Sequence, residues 1–158
     1  MTAQEFIRKY GDEMVIATNG TPLFPSVKMA QAALETGWGK STVGPANNMF
    51  GIKATGANTP YWDGSAYSAT TQEVVNGNTY TITDGFRMYK TMSDSIRDHS
   101  YLLTTLNRYK PVLTAVTPED QARALQSCGY ATDPNYASKL ISIINMNNLK
   151  ELDKKKAL

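Results

Sequence analysis

The sequence contains one cysteine, Cys128, and one histidine, His99, among its 158 residues. A single thiol cannot form an intramolecular disulfide, so the fold cannot depend on one in any compartment. One cysteine and one histidine do not make a zinc site, and no other cluster of residues has metal-ligand spacing. We therefore expect no metal and no cofactor.

Strong charge and long apolar runs are also missing. The net charge of +2 is too small to argue for nucleic acid as a partner. No stretch of about 18 apolar residues occurs, so no membrane span is expected. The N-terminal stretch from Met1 to Lys9 lacks the apolar run of a signal peptide. We expect a soluble chain that does not direct its own export.

The length and composition fit one globular domain. A chain of 158 residues with 41% hydrophobic and 19% charged residues is long enough to bury one core. No internal repeat or low-complexity linker divides the sequence. We therefore expect a single domain over residues 1–158. Helical spacing of apolar residues predicts helices over most of it, with a loop at 41–46.

The most informative stretch runs from Pro25 to Lys40. Its apolar residues recur at helical spacing, at Val27, Ala30, Leu34 and Trp38. Pro25 suits a first helical turn, and Gly37 and Gly39 permit the left-handed turn that ends a helix. A mostly buried helix is therefore predicted, with Glu35 in its last turn.

Glu35 is unusual because its helix is otherwise rich in Ala, Leu and Met. Burial among apolar neighbours disfavours a charged carboxylate, and the negative end of the helix dipole acts in the same direction. The pKa of Glu35 should therefore be raised, so that it holds a proton near neutral pH. From residue type alone, a solvated surface residue is the more common role of such a Glu.

A β-hairpin is predicted around Asn76-Gly77, because Asn-Gly between two β-rich runs favours the turn that needs positive φ at both positions. The runs cover 72–83, and 86–89 alternates as a third strand would. The hairpin carries Glu73, although a strand Glu most often serves solubility. Residues 54–71 are predicted as a loop. In this loop Trp62 is either an exposed platform for a sugar ring or a residue that packs the loop onto the domain.

Several motifs together resemble those of a known family. They are Glu-Thr-Gly-Trp-Gly-Lys-Ser at 35–41, Asn-Asn-Met-Phe-Gly-Ile-Lys at 47–53, Thr-x-Glu at 71–73 and Gly-Tyr-Ala-Thr-Asp at 129–133. This set resembles the lysozyme-like N-acetylglucosaminidases of glycoside hydrolase family 73, which include autolysins, phage lysins and the flagellar peptidoglycan hydrolase. The resemblance implies a mainly α (α+β) fold, with a lysozyme-like helical domain and a small β-hairpin lobe.

The same resemblance implies roles for individual residues. Glu35 corresponds to the general acid, Glu73 to the second acidic residue, and Tyr130 to a Tyr that lies close to the acid. Contact with substrate is expected from Trp38, Asn48, Phe50, Trp62 and Tyr136. For Asn48 and Phe50, a hydrogen-bonded loop anchored in the core explains the residues equally well. Tyr136 also falls on the core face of its helix, and a core role is expected for His99.

The implied activity is hydrolysis of the β-1,4 bond after N-acetylglucosamine in peptidoglycan, by a monomer that acts at the bacterial cell wall. A buried Glu35 would protonate the leaving oxygen, while an ionised Glu73 or the substrate's own acetamido group assists. A muramidase, a lytic transglycosylase and a catalytically silent glycan-binding module remain alternatives. If the substrate is cell wall, a leader was removed, the chain is a piece of a larger protein, or another system exports it.

Overall fold

The predicted helix around Glu35 is present in the computed structural model, which describes residues 1–42 and 45–157. Residues 43 and 44 of the predicted 41–46 loop, and residue 158, lie outside the described residues. The helices are α1 Ala3–Thr18, α2 Pro25–Thr36, α3 Met92–Thr105, α4 Lys110–Leu113, α5 Pro118–Ser127, α6 Tyr136–Met146 and α7 Lys150–Lys154. A 3-10 turn, Asn107–Tyr109, precedes α4, and the strands are β1 Ala66–Val75 and β2 Asn78–Arg87. The expected mainly α fold with a β-hairpin lobe is confirmed.

Helix α2 lies at the centre of the helical lobe. It packs against α1, α5, α6 and α7. All of its residues are buried except Leu34, which is partly exposed, and Glu35, which is exposed. Gly37 ends the helix at φ 56° and ψ 48°, and its N–H donates to the carbonyl of Ala33. The ending predicted from glycine is therefore present, and it leaves Glu35 at the surface end of a buried helix.

The hairpin is longer than its predicted runs. β1 begins at Ala66, inside the predicted loop, and Phe86 and Arg87 belong to β2, where they pair with Tyr67 and Ala66. The prediction of a third strand at 86–89 is therefore wrong for the described residues, whose sheet has two strands. The Ala and Ser residues at the start of β1 carry little sequence signal for a strand, so pairing with β2 decides their conformation.

The hairpin has two unlike faces. Along β1, partly buried residues alternate with exposed ones. The inner face of the hairpin is defined by Tyr67, Ala69, Thr71 and Glu73 of β1, which pair with Phe86, Asp84, Ile82 and Tyr80 of β2. Since directly paired residues project on the same side of a sheet, these side chains share one face.

A buried ion pair attaches the hairpin to the helical lobe. Asp98 of α3 is fully buried and accepts from Arg87 Nη1 at 2.9 Å, from the Tyr89 hydroxyl at 2.5 Å and from Thr59 Oγ1 at 2.6 Å. Arg87 also donates to the Thr55 carbonyl at 2.7 Å. The carboxylate of Asp98 thus joins α3, the end of β2 and the loop before β1.

Two contacts near the ends of elements join distant parts of the chain. Thr91, not Ser93, caps α3: its hydroxyl accepts from Asp94 N–H, whereas the Ser93 hydroxyl donates to Glu13 of α1. Lys156, in the basic C-terminal stretch, donates to the carbonyls of Thr21 and Leu23 instead of extending freely into solvent. Both contacts tie distant parts of the chain together, which local sequence does not reveal.

Substituting Asp98→Asn should lower the free energy of unfolding by about 3–5 kcal/mol, because it leaves the guanidinium of Arg87 buried without its counter-charge. Urea denaturation followed by circular dichroism measures this loss. Asp120→Asn, which breaks the exposed pair of Asp120 with Arg123, is the control and should change the free energy by about 1 kcal/mol or less. Equal losses in the two variants would contradict the anchoring role of Asp98.

Candidate active site

The carboxyl group of Glu35 lies directly against the backbone of Gly51. A Cβ atom built on Gly51 would lie 2.2 Å from Glu35 Oε1 and 2.7 Å from Cδ, inside van der Waals contact. Gly51 also has φ +63°, a conformation that L side chains rarely adopt. The absence of a side chain at residue 51 therefore provides the space in which the Glu35 carboxyl lies.

Glu35 is exposed on one side and enclosed on the other. The residue is exposed to solvent, so the prediction of a buried carboxyl is only partly right. The surrounding protein nevertheless removes much of the hydration of the carboxylate, and the negative charge of Glu73 repels it. These two causes, the loss of hydration being the larger, raise the pKa of Glu35 to about 7. A carboxyl in this state can donate a proton to a bound molecule near neutral pH.

Glu73 lies on the inner face of the hairpin and is held by contacts outside it. Lys53 Nζ lies 3.1 Å from Glu73 Oε1 and 3.3 Å from Asp84 Oδ2 of β2. Thr132, from the loop before α6, donates to Glu73 Oε2 at 3.4 Å. The inner face at Glu73 is therefore turned toward the helical lobe, and the ammonium of Lys53 stabilises negative charge there.

Tyr130 and Tyr136 form a stacked pair beside Glu35, with ring centroids 5.8 Å apart. Burial raises the pKa of Tyr130 well above its ordinary value, and the charges of Tyr136 and Glu35 add to the increase. Tyr130 is therefore a neutral phenol that can donate a hydrogen bond. Tyr136 is buried, and its hydroxyl accepts from Gln31 Nε2 of α2 at 3.0 Å.

A buried lysine and histidine lie behind this aromatic pair. Lys28 Nζ donates to the Ile96 carbonyl and the Ser100 hydroxyl, and lies 2.8 Å from His99 Nδ1. Burial lowers the pKa of Lys28, which Asp98 partly opposes, and burial together with Lys28 lowers the pKa of His99. The His99 ring stacks on Phe50 at 3.8 Å and meets Tyr130 edge-on at 6.0 Å. His99 therefore supports site residues from within the core, as expected.

Trp62 does not occupy the exposed position predicted for a sugar platform. Its side chain is buried at 5% exposure, its indole N–H donates to the Ser65 carbonyl, and the guanidinium of Arg87 lies 4.0 Å above its ring. The alternative, that Trp62 packs the loop onto the domain, describes its position. The burial follows from Arg87, because a flat cation held by Asp98 stacks favourably on an indole.

Two further predicted contact residues are buried. Asn48 donates from its amide to the Ile52 and Arg87 carbonyls and accepts from Ile52 N–H, which leaves little capacity for a ligand. Phe50 is 4% exposed beneath the site. Both residues therefore support the wall of the site from inside the protein, because their polar and apolar groups already contact other parts of the chain.

Trp38 is half-buried at the end of α2. Its backbone has φ 59°, and its ring packs edge-on against Phe6 of α1 at 5.7 Å. The packing on α1 accounts for much of its surface. Its predicted contact with substrate stays a prediction.

Sequence comparison provides the family. The sequence model of the glucosaminidase family, described as mannosyl-glycoprotein endo-beta-N-acetylglucosaminidase, matches residues 12–149. The chain belongs to this family. The motifs that resemble those of glucosaminidases lie within these matched residues, and they belong to the segments that surround Glu35.

Among its relatives, the glucosaminidase chain is 45% identical over 121 residues to the peptidoglycan hydrolase FlgJ of Salmonella typhimurium, covering 73% of this chain and 37% of that protein. It is 38% identical over 156 residues to the exo-glucosaminidase LytG of Bacillus subtilis, covering 95% of this chain and 53% of that protein. The chain thus spans about half or less of these relatives. A peptidoglycan hydrolase mutant from Sphingomonas sp. A1 has a similar structure, with TM-score 0.81, 35% identity and coverage of 94% and 97%.

Sequence reasoning did not single out Gly51, Lys53 and Thr132 as residues of the candidate site. Gly51 has a detectable signal, since a glycine directly after a buried aromatic often marks a close approach of backbone. Lys53 and Thr132 lie inside the motifs at 47–53 and 129–133, but those motifs give them no individual role, because that role depends on where the hairpin lies. Within residues 1–42 and 45–157, no group of three acidic, His or Cys side chains is arranged to hold a metal ion. No helix in this part is long and apolar enough to cross a membrane.

The pKa of Glu35 should be measurable by carbon-13 NMR of glutamate-labelled protein, with Glu35→Gln assigning the signal. We expect a value of about 7 in the wild type. In Glu73→Gln the pKa should fall, because repulsion is removed, yet stay above the ordinary 4.5, because loss of hydration is the larger cause. Glu151→Gln, which removes an exposed carboxylate of α7, is the control and should leave the pKa unchanged. A wild-type pKa near 4.5 would refute this electrostatic account.

Gly51→Ala should displace the Glu35 carboxyl into solvent, so its pKa should fall toward 4.5. Gly20→Ala is matched in backbone, since Gly20 has φ +74° and nothing within 4 Å of an added Cβ. Both variants should lose about 1–2 kcal/mol of folding free energy from the left-handed conformation. Only Gly51→Ala should change the pKa of Glu35. The same NMR titration, with urea denaturation, tests this, and an unshifted pKa in Gly51→Ala would show that the contact is unimportant.

Proposed function

We propose that the chain is a peptidoglycan hydrolase that cleaves the β-1,4 glycosidic bond after N-acetylglucosamine, with Glu35 as general acid. The observation that carries the proposal is the state of Glu35: an exposed carboxyl at the end of a buried helix, with a pKa of about 7 and a second carboxylate near enough to repel it. Glycosidic cleavage needs such a protonated acid at the leaving oxygen. Family membership and the names of the relatives support the same substrate.

The different surroundings of Glu35 and Glu73 give the two carboxyl groups different roles in the reaction. The neutral Glu35 delivers its proton to the leaving oxygen as the bond breaks. Glu73, beside the ammonium of Lys53 at 3.1 Å, supplies negative charge that stabilises the oxocarbenium-like state or activates water. In the alternative of substrate assistance, the acetamido group of the sugar acts as internal nucleophile in place of Glu73. The neutral phenol of Tyr130 donates a hydrogen bond to the sugar or to the attacking water.

The proposal also covers domain organisation, oligomeric state and the place where the protein acts. It acts as one domain and as a monomer on glycan strands of the bacterial cell wall, in the periplasm or outside the cell, without nucleic acid or a metal. The described helices share one hydrophobic core, which includes Phe6, Met29, Ile96, Leu125 and Leu140. That single core supports the assignment to one domain.

The decisive experiment is mass spectrometry of soluble fragments from purified peptidoglycan after borohydride reduction, for wild type and Glu35→Gln. We expect fragments ending in reduced N-acetylglucosamine from the wild type, and a loss of at least about a thousandfold in Glu35→Gln, because the proton donor is gone. Fragment length separates internal cleavage from release of end sugars. Glu73→Gln should lose much of the rate, and an unchanged rate would favour substrate assistance or a different second residue.

Each other outcome points to an alternative. Reduced N-acetylmuramic acid ends would indicate a muramidase, and anhydro ends a lytic transglycosylase. Binding to the wall without any released fragment would indicate a silent glycan-binding module. Fragments of equal yield from Glu35→Gln would remove Glu35 from the mechanism.

A further inference from the structure

An exposed aromatic ring lies beside the second acidic residue of the site. Tyr80 of β2 is the direct partner of Glu73 in the antiparallel register, and its side chain is 49% exposed. Directly paired residues have Cβ atoms about 4.5–5.5 Å apart and project on the same face. The ring of Tyr80 therefore lies on the inner face of the hairpin, adjacent to the carboxylate of Glu73.

The orientation of this face is known from Glu73 itself. Its carboxylate meets Lys53 and Thr132, both of which belong to segments outside the hairpin. The same face therefore looks toward the helical lobe and Glu35, and Tyr80 is turned in that direction. Val75, the next inner-face residue toward the turn, is 46% exposed. Apolar surface thus continues past Glu73 toward the end of the hairpin.

The Tyr80 ring is about half exposed and is available for contact with a bound molecule. No aromatic or cation partner of the Tyr80 ring occurs among the ring contacts of the described residues. The apolar C–H face of a pyranose ring matches the π-face of an aromatic side chain, and the phenol hydroxyl stays in water at its edge. Because Tyr80 is the direct partner of Glu73, a glycan bound at Glu73 lies next to this ring.

We propose that Tyr80 is the aromatic platform that binds a sugar ring of the glycan strand on the β-lobe, in the role that the sequence suggested for Trp62. The proposal rests on the proposed function for its substrate class, a β-1,4-linked N-acetylated glycan. Stacking at Tyr80 places one sugar next to Glu73 and so sets the register of the strand across Glu35. Tyr80 binds substrate without taking part in the proton transfer.

The test measures affinity in the Glu35→Gln background, so that it does not depend on hydrolysis. Sedimentation with insoluble purified peptidoglycan gives a dissociation constant for each variant. Tyr80→Ala should weaken binding by about fivefold to tenfold, as expected for loss of one stacked ring. Tyr80→Phe should bind as the parent does, because the stacking face remains.

A swap variant makes the test specific to the face of the sheet. Thr81 pairs with Gln72 on the outer face, so Tyr80→Thr with Thr81→Tyr keeps the composition of β2 and moves the ring to the other side. This variant should bind as weakly as Tyr80→Ala. Thr79→Ala, an outer-face change, should have no effect, and circular dichroism confirms that each variant is folded.

The outcomes separate the two proposals. Unchanged affinity in Tyr80→Ala, or full affinity in the swap variant, would overturn the platform at Tyr80 while leaving the hydrolase assignment intact. If the protein with its native Glu35 released no fragments, while glycan binding still depended on Tyr80, the hydrolase assignment would be overturned and the platform at Tyr80 would stand. In the protein with its native Glu35, Tyr80→Ala should raise KM by about the factor by which it raises the dissociation constant, and it should leave kcat little changed.

Discussion

The buried ion pair between Arg87 and Asp98 determines how the two lobes of this protein meet. The hairpin has little core of its own, and a two-stranded hairpin is marginally stable in water. Asp98 accepts from Arg87, Tyr89 and Thr59, so one carboxylate fixes the end of β2 and the preceding loop to α3. The position of Glu73 opposite Glu35 depends on this attachment. The geometry of the site therefore depends on the Arg87–Asp98 pair, because that pair fixes the hairpin that carries Glu73.

The electrostatics of the site follow from unequal surroundings of two carboxyl groups. Glu35 lies in the space left by Gly51 and loses hydration, whereas Glu73 lies beside the ammonium of Lys53. Glu35 is thereby disposed to hold a proton near neutral pH, and a protonated acid is what glycosidic cleavage needs at the leaving oxygen. The two effects reinforce each other, because the charge of Glu73 also raises the pKa of Glu35.

Features that depend on neighbours in sequence are predictable from the sequence, and features that depend on distant contacts are not. Local pattern placed Glu35, the end of α2 at Gly37 and the turn at Asn76-Gly77 correctly, because each depends on neighbours within a few residues. The sequence left two roles open for Trp62, and the structure decides for packing, because the guanidinium that covers the indole comes from Arg87, a residue distant in sequence. The start of β1 at Ala66 was missed for a similar reason, since its strand conformation depends on the partner Arg87.

The amino-acid sequence by itself determined the central helix, the hairpin turn and the family, because helical periodicity, glycine conformation and contiguous motifs are local properties of the chain. Tertiary structure alone decided the contact of Glu35 with Gly51, the bridge from Lys53 to Glu73, and which aromatic rings face solvent. Those features arise where segments far apart in sequence pack together. Burial, Coulomb interaction and steric exclusion at such contacts depend on distances that the order of residues does not contain.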